Sequence, residues 1–436
     1  MKKILTISEK NLLVLIIIGS VLARLLASII LGNQVTQMPG IADQVTYHTL
    51  AQRVMNGFGF TFDQPWWPAT HPGDPTAHWS YIYTFYLVFV YKIFGVNALL
   101  ARIIQAIVIG ILQPLLLYKI SKIIFPEISG LFSAGWIAIY PYLIYYSAAL
   151  MTESWFITVV LAVFWSAIRL KPTQTTTSYY LVLGVLSGTA ILLRQVFMLF
   201  VPFLFLWILW NQRNSGLLKS IKNLVVSGLI IIVMILPFTI FNYQRFDRFV
   251  LLNTNAGFAF FWSNNPIYGT QFVGILPEEM GNYLMMLPVE LKGLDEASLD
   301  SELLKRGLNF VFENPGTYAL LSLSRIPILF DFLPSQDSSL LSNITRVTSF
   351  GFALPFMVFG IWLSIKSILK SKIIFFDSPI SLILIFGFVY SAIHILTWSL
   401  VRYRLPIDAL FLVFAGLALS KLSIFVRKRY ANNQPA

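Results

Sequence analysis

Four charged residues in this 436-residue chain stand at the ends of apolar runs, where charge is costly, Glu153, Arg194, Arg402 and Arg404, and a fifth, Asp43, lies about a dozen residues past the end of the first run. A charge in such a place needs a partner. Two arrangements would supply one. Carboxylates and guanidiniums can pair with one another and hold helix ends together. They can equally form a site in which planar arginine forks grip a phosphate while a carboxylate acts as base. Asp43 closes Gly40-Ile41-Ala42-Asp43 and heads a helix-like stretch (Tyr47, Leu50, Ala51, Val54) that ends at Asn56-Gly57. A helix N-cap would also account for an aspartate there. The same segment holds Asp63, His71, Asp74 and His78 among prolines and the pair Trp66-Trp67. The two histidines read as well as surface-loop residues, and His394, inside an apolar run, as a packed or hydrogen-bonded helix residue rather than a ligand.

The elements that must position these residues are spans of a bilayer. The chain is 57% hydrophobic and 11% charged, with a mean hydropathy of +0.74. That leaves too little charge to cover a soluble surface. Apolar runs lie at 11–31, 98–120, 130–147, 153–169, 179–193, 196–211, 223–242, 346–366, 379–400 and 405–425, and the pattern predicts about 10 transmembrane helices. Basic clusters follow every second run: Lys119 and Lys122, Arg169 and Lys171, Arg213 to Lys222, Lys366 to Lys372, and Arg427-Lys428-Arg429. With Lys2, Lys3 and Lys10 ahead of the first run, this parity puts both termini in the cytoplasm. The five charged residues then collect on the extracytoplasmic side. Residues 79–94 resemble a further span, but counting them would invert the parity. They are short and rich in Tyr and Trp, and are expected to form an interfacial helix.

The resulting plan is an all-α polytopic membrane protein. A transmembrane module at 1–242 carries a first external loop at 32–97, an extracytoplasmic cap covers 243–345, and C-terminal transmembrane helices fill 346–436. Within the cap, 298–313 has helical amphipathicity, Asn314-Pro315-Gly316 breaks it, and 317–333 is apolar enough for a partly buried or re-entrant helix. The first run is too long for a signal-peptide core and lacks an Ala-x-Ala site, so it reads as an uncleaved first span.

Several chemistries are excluded. The chain has no cysteine, which removes disulfides, thiolate nucleophiles and Cys-based metal sites. It has no Gly-rich phosphate loop, no His-Glu-x-x-His and no Gly-x-Ser-x-Gly elbow. The net charge of +12 sorts into short loops, so no nucleic-acid partner is expected. Prolines 114, 141, 202 and 237 interrupt spans as in transporters, but the runs show no mid-membrane carboxylate for a coupling ion.

The order of features resembles the GT-C superfamily of integral membrane glycosyltransferases, nearest to its protein mannosyltransferase and aminoarabinose transferase branch (glycosyltransferase family 39/83-like). The patterns that carry the resemblance run in one order over about 400 residues. They are Asp43 to Gly57, then His71-Pro72-Gly73 before the aromatic helix ending Lys92-Ile93-Phe94-Gly95 and Arg102, then Tyr140-Pro141 with Thr152-Glu153-Ser154. Leu193-Arg194 after Gly184 and Gly188, and Arg402-Tyr403-Arg404-Leu405-Pro406, complete them. The resemblance implies a GT-C fold and transfer of a sugar, with inversion, from a polyprenyl-phosphate donor to a glycan, lipid or protein acceptor outside an integral cell membrane (plasma or inner), in cell-envelope glycan biosynthesis. It implies Asp43 and Glu153 as catalytic carboxylates, Arg404, Arg402, Arg194 and His71 at the donor phosphate, and Tyr47 and Tyr403 at sugar or acceptor. A divalent cation, Mg or Mn, is optional in the superfamily and would fall to Asp43 and Glu153. Two departures stand out. The family's first-loop acid is often doubled, whereas Gln44 follows Asp43, so a second carboxylate must come from Asp63, Asp74 or Glu153. The soluble C-terminal domain of some relatives does not follow the last run. A polysaccharide polymerase or O-antigen ligase, or a lipid-linked-glycan flippase or transporter, are the alternative functions.

Overall fold

A computed structural model describes residues 8–432 except 67–70, 126–127, 171–175, 215, 275, 277–280, 282, 284 and 337. Lys2, Lys3, Trp67 and Lys171, used above, lie outside the described residues, as does the Lys428 side chain. The described chain is helical: α1 (Glu9–Leu31), α2 (Asp43–Met55), α3 (Tyr81–Phe94), α4 (Ala98–Ile124), α5 (Ser129–Ile139), α6 (Pro141–Ala148), α7 (Glu153–Ile168), α8 (Thr177–Leu193), α9 (Val201–Gln212), α10 (Leu217–Phe246), α11 (Ala256–Ser263), α12 (Glu296–Glu313), α13 (Pro315–Leu329), α14 (Leu340–Arg346), α15 (Phe352–Ser371), α16 (Pro379–Leu396) and α17 (Leu405–Asn432). Among the described residues the sole β pairing is an isolated bridge between Thr61 and Pro75.

Each expected span falls on helix, but the count of ten is not established. Among the described residues seven helical stretches are long and apolar enough to cross a bilayer, and the pair of α6 and α7, bent by 119°, brings the number to eight if it forms one span. The 130–147 run is two helices because Pro141 has no N–H to continue α5 and instead occupies the first turn of α6. At 11 and 17 residues, α5 and α8 are shorter than a straight crossing requires. The aromatic helix α3 has 14 residues, about 21 Å at the helical rise, which also falls short of a bilayer core.

The core gathers on α17. Leu405, Ile407, Leu410, Leu412, Val413 and Phe414 are all buried, and α17 packs against α5, α15 and α7. At Gly360 of α15 a Cβ would stand 2.0 Å from the Phe414 carbonyl oxygen, so glycine lets the two backbones touch, as small residues do between membrane helices. By contrast α1 and α10 expose Leu22, Leu26, Ile30, Leu229, Ile232 and Val233, a surface suited to lipid rather than water.

Asn314 ends α12 and Pro315 opens α13, as the Asn-Pro break predicts. The cap has its own small core, where Phe258, Phe261 and Trp262 pack against Leu299 and Leu303. It is stitched to the first loop by hydrogen bonds. The Asn253 amide donates to the carbonyls of Ala77 at 2.9 Å and Trp79 at 3.0 Å. The buried Glu296 carboxylate accepts from the Ala77 N–H at 2.7 Å and from the Thr254 hydroxyl. Burial pushes the Glu296 carboxyl up to about 7, and burial also raises Asp300, next to it in the cap, to about 6.

Candidate functional site

Four separate turns deliver the charged residues to one place. Asp43 is the first residue of α2 and Glu153 the first of α7. Both carboxylates therefore sit at helix N-termini, whose exposed N–H groups favour negative charge. Arg194 ends α8, and Arg402 lies in the 3-10 turn Val401–Arg404 that enters α17. Helix α2 has Ala42 at its N-cap position, with no side-chain cap bond. The N-cap explanation of Asp43 therefore fails, and its carboxylate is turned to Arg402 instead.

The four charges form a chain. Arg402 Nη2 lies 2.9 Å from Asp43 Oδ2, and its Nε lies 3.7 Å from Glu153 Oε1. Arg194 Nη2 reaches the same Glu153 oxygen at 2.6 Å, while its Nε donates to Thr152 Oγ1 at 3.2 Å. The Tyr403 ring lies against both guanidiniums, 5.2 Å from Arg194 and 5.4 Å from Arg402, and stacks on His394 at 4.6 Å. The His394 Nδ1 meets the Trp398 carbonyl at 3.1 Å, so this histidine is a packed helix residue, as expected, and also a wall of the site. Tyr47, buried one turn along α2 from Asp43, has its hydroxyl held by the Ser80 N–H at 3.3 Å. Its phenol is pushed up by burial, and the charges of Asp43, Glu153 and Arg194 all act on it. The two carboxylates differ in access. The Asp43 side chain is 28% exposed and that of Glu153 only 2%, so Asp43 is the acid an incoming group can reach.

Helix α4 holds the frame around this chain. Arg102 donates to the Ala148 carbonyl at 2.9 Å, the Gln34 carbonyl at 3.1 Å and Gln44 Oε1 at 2.9 Å. Gln105 donates to the carbonyls of Ser147 and Ala149, each at 2.8 Å. One face of α4 thus ties the start of the first loop, the residue beside Asp43 and the bend that leads to Glu153. Gln44, which departs from the doubled acid, serves as an acceptor for Arg102.

Two expected donors stand elsewhere. Arg404, grouped with Arg402 in the sequence, is fully buried and turned away. Its Nε lies 3.0 Å from Asp408 Oδ1, its Nη1 donates to the Leu329 carbonyl at 2.8 Å, and its guanidinium lies 3.6 Å from the Phe350 ring. Asp408 Oδ2 in turn accepts from the Tyr140 hydroxyl at 2.7 Å. Residues two apart in a tight turn point to different sides, and here one side is the site and the other the core. His71 is exposed on the first loop, and none of the four charged side chains pairs with it. Of the three candidates for a second carboxylate, Glu153 is the one beside Asp43; Asp63 is exposed on the loop.

Sequence reasoning missed Asp408, although Arg404 and Asp408 have the i,i+4 spacing of a helix pair, and an acid inside a membrane helix is itself a signal. It also missed Arg24. This span-one arginine is fully buried and donates to Gln113 Oε1 at 3.1 Å and to the Ile137 and Ala138 carbonyls at 3.1 and 3.2 Å, at the end of α5 where Pro141 leaves carbonyls unpaired.

The residues present do not fit a divalent metal. Among the described residues no three His, Cys, Asp or Glu side chains converge as a metal set. Asp43 and Glu153 are two carboxylates with a guanidinium already between them.

Residues 79–241 match the family model described as dolichyl-phosphate-mannose-protein mannosyltransferase. Sequence comparison with curated proteins gives no match. Among solved structures, the oligosaccharyltransferase of Archaeoglobus fulgidus in its apo form matches with a TM-score of 0.63 at 18% identity, over 100% of this chain and 53% of that one. The same enzyme, AglB, with an inhibitory peptide and a dolichol-phosphate gives 0.60 at 18% identity, over 98% and 52%. With zinc and sulfate it gives 0.58 at 17%, over 96% and 50%. ArnT from Cupriavidus metallidurans bound to undecaprenyl phosphate matches at 12% identity over 97% of this chain and 81% of that one, with a TM-score of 0.42, too low to support a conclusion. The chain spans about half the length of the oligosaccharyltransferase chains it matches. Family model and fold both fall within the GT-C superfamily that the sequence resembles, and the chain is an integral membrane protein with the GT-C fold.

Proposed function

We propose that the chain is a glycosyltransferase that moves a hexosyl or pentosyl group from a polyprenyl-phosphate donor to an acceptor on the extracytoplasmic face of the cell membrane, with both termini in the cytoplasm. The observation that carries this reading is the chain Asp43–Arg402–Glu153–Arg194, in which the one accessible carboxylate stands at the end of two guanidiniums. The family model for dolichyl-phosphate-mannose-protein mannosyltransferases and the dolichol-phosphate and peptide in the matched oligosaccharyltransferase support the donor and acceptor classes.

The chemistry follows from the charges. An acceptor hydroxyl oxygen attacks the anomeric carbon from the face opposite the phosphate, which inverts that centre. The new C–O bond forms as the sugar–phosphate C–O bond breaks. The acceptor proton passes to the Asp43 carboxylate, and the bonding pair leaves on the polyprenyl phosphate. Negative charge therefore grows on the phosphate while positive charge grows on the sugar ring. Arg402 and Arg194, held in place by carboxylates and Thr152, would stabilise the first without moving, which is where preorganised donors lower a barrier most. The buried Glu153 fixes both arginines. Tyr403 and Tyr47 flank the place where a sugar would lie. Arg404 and His71 take no part.

Purified protein in liposomes, given a polyprenyl-phosphate-linked sugar and a mixed acceptor pool, tests the reading. Covalent transfer that Asp43→Asn removes is the expected result. Sugar that crosses the bilayer without forming a new bond would identify a flippase, and transfer that survives Asp43→Asn would favour a polymerase or ligase.

A further inference from the structure

A guanidinium bridges the two carboxylates that would otherwise be the natural seat of a divalent cation. Arg402 lies 2.9 Å from Asp43 through Nη2 and 3.7 Å from Glu153 through Nε. Its Nη1 also donates to the Gly40 carbonyl at 3.4 Å, one turn ahead of Asp43 on the same loop. Two further constraints hold it there. The Tyr403 ring lies at 5.4 Å, and Tyr403 is itself stacked on the buried His394. Arg402 Nε has no hydrogen-bond partner among the described residues, so one N–H remains on the Glu153 side. We infer that Arg402 is a built-in cation: it occupies the position of a metal between Asp43 and Glu153, and the site works without a divalent ion.

The electrostatics support the assignment. Asp43 and Glu153 carry two negative charges, and Arg402 and Arg194 return two positive ones, so the four-residue chain is neutral. A divalent ion added to it would have to displace a guanidinium from a largely buried carboxylate, leaving that guanidinium without its partner. It would also find only two protein carboxylates, fewer ligands than hard divalent cations usually gather. Removing Arg402 lifts the first of these obstacles and leaves the second to water. Asp43 and Glu153 would then face one another with a single guanidinium, Arg194, left to neutralise them, and a small cation could enter between them with water completing its shell.

The inference predicts binding as well as turnover, so it stands apart from the proposed transfer reaction. The probe is Mn2+, titrated into the purified full-length chain in detergent and followed by loss of the free-ion electron paramagnetic resonance signal. Wild type is expected to bind no Mn2+ that Asp43→Asn removes. Arg402→Ala is expected to gain about one bound Mn2+ per chain, and Arg402→Ala with Asp43→Asn to lose it again. Arg402→Gln serves if the alanine variant does not fold, because glutamine keeps a hydrogen-bonding group at the position without the charge. A wild-type Mn2+ site that depends on Asp43 would overturn the inference, and so would a folded Arg402 variant that binds no more Mn2+ than wild type. If the Mn2+ pattern holds but no transfer is found, the proposed function fails and this inference does not. If transfer is found, chelation of divalent ions should leave the wild-type rate unchanged.

Discussion

Arg402 and Arg404 are two residues apart in one short turn, yet they belong to different parts of the molecule. Arg402 joins first-loop and helix-end carboxylates in a place that solvent reaches. Arg404 is sealed between Asp408, backbone carbonyls and the Phe350 ring, with Asp408 secured by Tyr140. Both are arginine–carboxylate pairs at the N-terminal end of α17. Their difference lies in what surrounds them. The outer chain shares one arginine between two acids and keeps an acid at its open end, whereas the inner pair is closed on every side. Pairing alone therefore does not distinguish a working site from a structural bolt; access to the carboxylate does.

The largest effect that would break this contrast is on catalysis. Asp43→Asn should lower transfer on the order of 100-fold or more, the range of a lost general base, while the unfolding temperature in detergent stays near that of wild type. A large loss of stability instead would make Asp43 structural. The inner pair should behave in the opposite way. Arg404→Ala or Asp408→Ala should each cost about 3–5 kcal/mol of stability, since either leaves an uncompensated buried charge. Arg404→Met with Asp408→Leu should recover most of it, and thermal unfolding of purified protein measures all three. Equal losses in single and double variants would mean that packing, not charge, decides.

A smaller effect comes from the cap. Glu296 has its carboxyl raised to about 7 from an ordinary 4.5. The folded state therefore holds a proton that the unfolded state gives up. Stability from this group is fully present below about pH 4.5 and is lost as pH rises through about 7, a total on the order of 3 kcal/mol. Asp300, raised to about 6, acts in the same direction. Hydrogen exchange at the Ala77 and Thr254 amides should quicken between pH 5 and 8 beyond its intrinsic pH trend, and Glu296→Gln should flatten that excess. The smallest effect belongs to the contact of α15 with α17, where Gly360→Ala should cost about 1–3 kcal/mol through overpacking against Phe414, read from the unfolding temperature.

Much of the scaffold was legible because its signals are local. Pro141 and Asn314-Pro315 break helices where the chemistry of proline requires, and the apolar runs all became helix. Glu153, Arg194 and Arg402 were legible because each is a charge at the end of an apolar run, and Asp43 because it heads a helix-like stretch a short way past the first one. Their mutual distances were not, since they come from four turns up to 359 residues apart, between Asp43 and Arg402. The grouping of Arg404 with Arg402 followed from adjacency, and no sequence rule says which way each side chain of a 3-10 turn will face. Asp408 was there to be seen at four residues from Arg404. Its bond to Tyr140, 268 residues away in the chain, and the grip of Arg102 on Gln44 depend on tertiary contacts alone.

The most direct test is to locate a bound donor phosphate by electron cryomicroscopy of the full chain with polyprenyl phosphate in nanodiscs. Phosphate density within about 4 Å of the Arg402 or Arg194 guanidinium, with Arg404 still closed on Asp408, is the predicted result. A phosphate resting on Arg404, or on another face of the protein while the four-residue chain stays intact and empty, would contradict it.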